Sequence, residues 1–299
     1  MSVAPVPLVI SYIDPDNNTW NFSDYTMQNG YCCSAISGIE GIPLMLQTLP
    51  LLDGSAVPVT YIPQPGTIGL AILLSRPASD SENDYYKLLD DFVRAFIHRR
   101  NETPAPGTLI ITRPDGTQRQ INVFTLTGLD TPDVGKNNTC LYSLALQTPN
   151  PFWQDLTPSQ VNFVMPSATG ILPELPVDLD GPALFGNASV NNIGTALAYP
   201  TWTITGPGTP TVTNNTTGLS WSMNTAIPAG QQVQVVTQRG QQMAVNITTG
   251  VSVWGQLVMN TPRNLWPLVG GNNSITVNMP GSTTASKVNM SYFNQWNRA

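Results

Sequence analysis

From residue 189 to its end the chain alternates apolar and polar residues in short runs, and turn residues cut those runs at regular intervals. Trp202 and Ile204 share one face of 200–207. Val233 and Val235 alternate with glutamines, and Met243, Val245 and Ile247 alternate with polar partners beyond Arg239-Gly240. A period of two sends successive side chains to opposite faces of a strand, so each run has one buried face. Runs at 211–213, 219–223, 251–257, 274–279 and 287–293 continue the pattern, with Gly270-Gly271-Asn272-Asn273 as a turn. Strands this short and this evenly spaced build a β-sandwich.

The first half reads differently. Runs at 6–13, 20–25, 57–62 and 67–74 are strands, the last with Ile68, Leu70, Ile72 and Leu74 on one face. Residues 79–100 form one amphipathic helix. Tyr85, Leu89, Phe92 and Phe96 fall on one stripe, with Leu88 and Ala95 beside them. Ser79, Asp80 or Ser81 caps it, and Ser81 with Asp84 has capping-box spacing. Asp80, Glu82 and Asp84 at the start and His98, Arg99 and Arg100 at the end complement the helix dipole. Pro104-Ala105-Pro106-Gly107 stops the helix. A hairpin follows over 108–112 and 118–126, turned by Arg113-Pro114-Asp115-Gly116. Residues 34–52 mix Gly38, Gly41, Pro43 and Pro50 with Ile39, Ile42, Leu44, Met45, Leu46, Leu49, Leu51 and Leu52. The glycines and prolines oppose a helix while the apolar residues need burial. Either an extended arm on a neighbouring subunit or a loop over the chain's own core meets both demands.

At the midpoint, after a strand over 141–147, stands Thr148-Pro149-Asn150-Pro151-Phe152-Trp153-Gln154-Asp155. Its prolines forbid a regular ladder, and its two rings plug the end of the preceding domain. Residues 156–185 are punctuated by Pro158, Pro166, Pro173, Pro176 and Pro182 and read as a linker. The expected organisation is therefore an N-terminal β-domain with helix 79–100 over 1–155, a linker over 156–185, and a C-terminal β-sandwich over 186–299.

Charged residues make up only 10% of the chain, against roughly 25% in a typical soluble domain. Uncharged polar surface desolvates cheaply, which suits a protein locked into an assembly. The net charge is −6 with no basic run, so sequence-specific nucleic-acid binding is not expected. Residues 1–10 lack a signal-peptide pattern, and no run approaches a membrane span. Cys32, Cys33 and Cys140 read as reduced, buried residues. The one histidine, His98, sits beside two arginines, and no Asp or Glu occurs from Val190 onward. A nucleophile–base pair, a glycosidase carboxylate pair and a zinc site therefore all lack their residues. No catalytic residue, metal ligand or cofactor is expected, and the chain is not read as an enzyme. Trp202, Trp221, Trp254, Trp266 and Trp296 are the residues a sugar could stack on.

The order of these motifs resembles the distal tail proteins of long-tailed phages with non-contractile tails. In the first half it is carried by the helix, Gly107-Thr108-Leu109, Pro114-Asp115-Gly116 and Asn150-Pro151-Phe152-Trp153. In the second it is carried by Asn192-x-Gly194, Pro200, Ile204-x-Gly206-Pro207, Ala229-Gly230 and Leu268-x-x-Gly271-x-Asn273-x-Ile275. Each motif is short, but their order is specific and spans nearly the whole chain. The family's early-strand Gly-Arg dipeptide is not evident; Ile68-Gly69-Leu70 stands nearby instead. The resemblance implies a mainly β fold: a ring-forming N-terminal domain with one helix, then a galectin-like or carbohydrate-module-like sandwich. It implies a homo-hexameric ring at the virion tail tip, assembled in the host bacterial cytoplasm. That ring joins the tail tube protein to the tail-associated hub protein, around the tape-measure protein, and keeps a channel open. Receptor-binding or adhesion proteins, or host glycan, are further implied partners. The rival reading is a carbohydrate-binding or host-adhesion module of the tail without a ring, binding through an exposed tryptophan such as Trp221.

Overall fold

The computed structural model describes residues 8–52, 55–75, 82–97, 99–100, 103–130, 132–134, 139–164, 184–260 and 265–299. The chain divides into two compact units, Met1–Leu156 with Trp296–Ala299, and Thr157–Gln295.

The first unit runs β1 (Val9–Ile13), β2 (Thr19–Asn21), β3 (Tyr31–Ser37), β4 (Leu44–Pro50), β5 (Ala56–Pro63) and β6 (Gly66–Ser75), then α1 (Glu82–Phe96). It continues through β7 (Arg99–Arg100), β8 (Thr103–Pro104), β9 (Gly107–Thr112), β10 (Gln118–Thr127), β11 (Asp133–Val134), β12 (Thr139–Thr148) and β13 (Trp153–Asp155). Its main sheet is antiparallel in the order β2-β1-β9-β10-β12-β6-β3, with β13 added to β10. Alternation places Ile68, Leu70, Ile72 and Leu74 of β6 on one buried face. The stripe of α1 closes over the sheet's core: Tyr85, Phe92, Ala95 and Phe96 are buried. Phe96 stacks on Tyr12 at 4.5 Å between ring centroids, and Phe92 lies 4.9 Å from Tyr142. The Tyr12 hydroxyl donates to the Ala95 carbonyl at 3.0 Å, and burial pushes its pKa well above the ordinary phenol value.

The β9–β10 turn is built as the sequence requires. Gly116 takes φ +82°, its N–H donates to Arg113 O at 2.9 Å, and Thr117 N–H donates to the Asp115 carboxylate at 2.9 Å. Two expectations need correction. The helix ends at Phe96, not at residue 100, because Arg99–Arg100 pairs with the extended, proline-bearing Thr103–Pro104. Its proposed caps at 79–81 and His98 lie outside the described residues. Nor is the 34–52 segment as a whole a loop over the chain's own core, although Ile39 is buried in it. Its first residues complete β3, and β4 pairs with β5 alone. Cys32, Cys33 and Cys140 are free and buried, and burial pushes the Cys33 thiol up to about 11.

The second unit comprises β14 (Ser159–Val164), β15 (Leu184–Asn192), β16 (Thr201–Thr205), β17 (Thr211–Asn214), β18 (Leu219–Met223) and β19 (Gln232–Val236). β20 (Met243–Asn246), β21 (Val251–Ser252), β22 (Leu257–Met259), β23 (Gly271–Asn278) and β24 (Lys287–Tyr292) follow. Two antiparallel sheets, β14-β24-β16-β19-β20-β21 and β15-β23-β17-β18-β22, make the sandwich. Residues 159–164, read from the sequence as linker, form an edge strand instead: Val161 and Phe163 alternate inward, and Phe163 is buried. The core is centred on Trp202, which meets Trp221 and Trp266 edge-on, at 5.9 and 5.8 Å with interplanar angles of 73° and 74°. Among the described residues none of the three indole N–H groups has a hydrogen-bond acceptor. Each ring therefore contributes through packing alone.

Candidate assembly surfaces

β4 and β5 form a two-stranded ribbon with no other strand beside it among the described residues. It extends the β3–β6 pair beyond a break at Pro43 and Gln64-Pro65, where Gln64 N–H donates to Pro43 O at 2.9 Å. All of β4 is exposed, and in β5 only Ile62 is partly covered. Leu44, Met45, Leu46, Leu49, Val57, Val59 and Tyr61 present their side chains to solvent, Tyr61 at 64%. No residue of either strand is charged. An isolated two-stranded ribbon is marginal in water, and an apolar one gains from being covered. Pro50, Pro58 and Pro63 lack backbone donors, which discourages ladder growth along the ribbon's edges. Side-chain packing is then its means of binding.

A second apolar surface on the same unit is concave. A groove of about 560 Å³ lies where α1 ends, lined by the apolar Phe96, Ile97, Phe124, Leu126 and Leu129 and by the polar Thr125, Thr127 and Asp130. Ile97 and Leu126 are half exposed. The groove opens where β10 carries a bulge between Thr125 and Thr127, which bends the strand away from a regular ladder.

The first unit is closed by Trp296–Ala299. Arg119, 6% exposed, lies 3.8 Å over the Trp296 ring and donates to Arg298 O at 2.7 Å. Trp296 Nε1 donates to Asp155 at 2.8 Å, Ala299 N–H to Ile39 O at 2.9 Å, and Arg113 Nε to Ala299 O at 2.9 Å. Burial, then repulsion from Arg113, lowers the Arg119 guanidinium to about 10. The sequence offered Trp296 only as a ring a sugar could stack on, whereas with Arg119 it forms a clasp.

The tryptophans sort by parity. Trp202, Trp221 and Trp266 are core, which corrects the reading of Trp221 as an exposed stacking platform: it is 1% exposed, on the inward phase of β18. Trp254, at 40%, is the exposed tryptophan of the sandwich. Among the described residues no group of three or more His, Cys, Asp or Glu could hold a metal ion, and no helix is long and apolar enough to cross a membrane.

A β-domain with one helix followed by a β-sandwich defines a fold class that solved phage tail structures share. The SPP1 Dit (gp 19.1) protein, described as a paradigm of the hub adsorption apparatus in phages infecting Gram-positive hosts, is similar with a TM-score of 0.62 at 10% identity. The likeness covers 97% of this chain and 99% of that one. Chains of the phage p2 baseplate in its activated conformation, with Sr and with Ca, are similar with TM-scores of 0.55 and 0.52 at 11% identity, over 98% of this chain and all of theirs. No family model matches the sequence, and no curated protein matches it significantly.

Proposed function

We propose that this chain is a structural protein of a phage tail tip, without catalytic activity. It forms a six-fold ring that joins the tail tube to the hub and adhesion apparatus and leaves a channel open. The observation that carries the reading is the end-to-end likeness to the SPP1 hub adsorption protein, which spans both units in the same order. Fold alone does not carry function; the uncovered apolar ribbon adds independent support, because it leaves the single chain incomplete. The N-terminal domain, about 1–155, makes the ring, and the C-terminal sandwich is an attachment platform. The tail tube protein and the tail-associated hub protein dock on its two sides, around the tape-measure protein, at the virion tail tip.

Light scattering with negative-stain imaging of the same fraction tests this. The expected result is a mass six times the 32.3 kDa chain and rings with a central hole. A monomer that stays monomeric when mixed with the tube and hub proteins of its phage would overturn it. Glycan binding by that monomer would instead assign it to adhesion.

A further inference from the structure

The ribbon and the groove both expose large apolar side chains, and one chain cannot bring its own pair together. β6 leaves the ribbon at Gly66, which pairs with Thr148 of β12. The groove strand lies further along the sheet: Thr127 pairs with Ala145, which pairs with Gly69, and Gly128 packs against the backbone of Ser143, which pairs with Ala71. The groove thus sits three to five residues into the sheet from the end where the ribbon departs, about 10–17 Å at strand spacing. The ribbon's large apolar side chains remain uncovered in the single chain.

We propose that β4–β5 of one copy seats its apolar side chains in the α1–β10 groove of a second copy. This rests on the ring reading and names its contact. A convex patch meeting a different, concave patch is a heterologous contact, and repetition of such a contact closes into a ring when the rotation allows. The occupant is a copy of this chain because the two surfaces match. The ribbon is uncharged, with a length of about 23 Å for seven residues. The groove is lined by five large apolar side chains, two threonines and a single charged group, Asp130. A charged partner surface would strand its ions against the ribbon. The prolines of β4 and β5 favour side-chain insertion over an added strand.

Mixed single-cysteine variants test the contact, since the three native thiols are buried. Chains carrying Leu46→Cys, Val59→Cys or Tyr61→Cys are co-assembled with chains carrying Ile97→Cys or Leu126→Cys, oxidised, and run without reductant. A disulfide requires Cα atoms within roughly 4.4–6.8 Å, so the panel covers several registers. The expected result is inter-chain cross-linking in at least one mixed ribbon–groove pair, at least tenfold above either variant alone. In parallel, Val59→Asp and Leu126→Arg should each cut the assembled fraction at least tenfold, with the thermal midpoint of the single chain unchanged. Rings of full mass with no ribbon–groove cross-link in any pair would overturn this contact and leave the ring reading standing. Ribbon-to-ribbon links, or links to another tail protein, would overturn it equally. Failure to assemble at all, by the unsubstituted chain with its tail partners, would instead defeat the ring reading itself.

Discussion

Trp202→Ala should lower the stability of the sandwich by about 3–5 kcal/mol, the range for removing a buried Trp or Phe ring. Against a typical domain stability of roughly 5–15 kcal/mol this is a large share. The cause is geometric. Trp202 is fully buried and is the ring that both Trp221 and Trp266 meet edge-on, with Phe163 at 6.2 Å. Its loss opens a void that three large rings on two sheets must collapse into together. Because Trp202 Nε1 has no acceptor, Trp202→Phe forfeits no conventional hydrogen bond and should cost distinctly less than the alanine. Urea unfolding followed by circular dichroism checks both. Trp254→Ala is the contrast: an exposed ring should change stability by no more than about 0.5 kcal/mol. A Trp202→Ala cost below about 1 kcal/mol would mean that the core is not organised around this ring. A large loss at Trp254 would mean that it is covered by something other than solvent.

The same parity explains what was legible in the sequence. Where alternation was strict, as in β6, β16 and β19, both strand and buried face could be read, because a period of two leaves one solution once one face is apolar. The helix stripe was equally clear, but its end was not. Dipole reasoning favoured arginines in a last turn, and pairing with Thr103–Pro104 took their backbone instead. β14 was missed because prolines dominated the reading of 156–185, although Val161 and Phe163 carried the alternation. Trp221 was misjudged because its sugar-stacking chemistry outweighed its place on the inward phase with Met223. The ribbon was half legible: unburied apolar residues between prolines announced a surface needing cover. That it would be a ribbon pairing only with itself depends on where the main sheet stops, which no local pattern encodes. The clasp had one signal. Arg119 shares the buried phase of β10 with Ile121 and Val123, so a charge stood on a core-facing position. A buried guanidinium demands a partner. The sequence does not say that it would come from Trp296 and Arg298, nearly 180 residues later.

Arg119→Ala should therefore destabilise the first unit by about 3 kcal/mol, and its coupling to the distant segment is the informative part. The substitution removes a charge-assisted hydrogen bond to Arg298 O, worth roughly 1.5–3 kcal/mol, and a desolvated cation–π contact with Trp296, worth up to about 2 kcal/mol. Partial exposure of Trp296 holds the total near the lower end. Removing residues 296–299 deletes the same contacts from the other side, along with the Trp296–Asp155 and Ala299–Ile39 bonds, and uncovers the Arg119 guanidinium. The deletion is the more damaging single change because it removes these further bonds as well. Once residues 296–299 are gone, Arg119→Ala should cost little further, because the partners it would lose have already been removed. The double-mutant cycle thus carries a large coupling term, beyond the few tenths of a kcal/mol expected of independent sites. Arg119→Lys should recover little, since an ammonium lacks the planar face that stacks on the indole. Denaturant unfolding of all four variants, with hydrogen exchange at β10 and β13 as the local readout, measures it. Strict additivity would mean that the last residues merely rest on the unit. A coupling above about 1 kcal/mol would mean that they are a working part of its fold, held by an arginine placed for that purpose on the core side of β10.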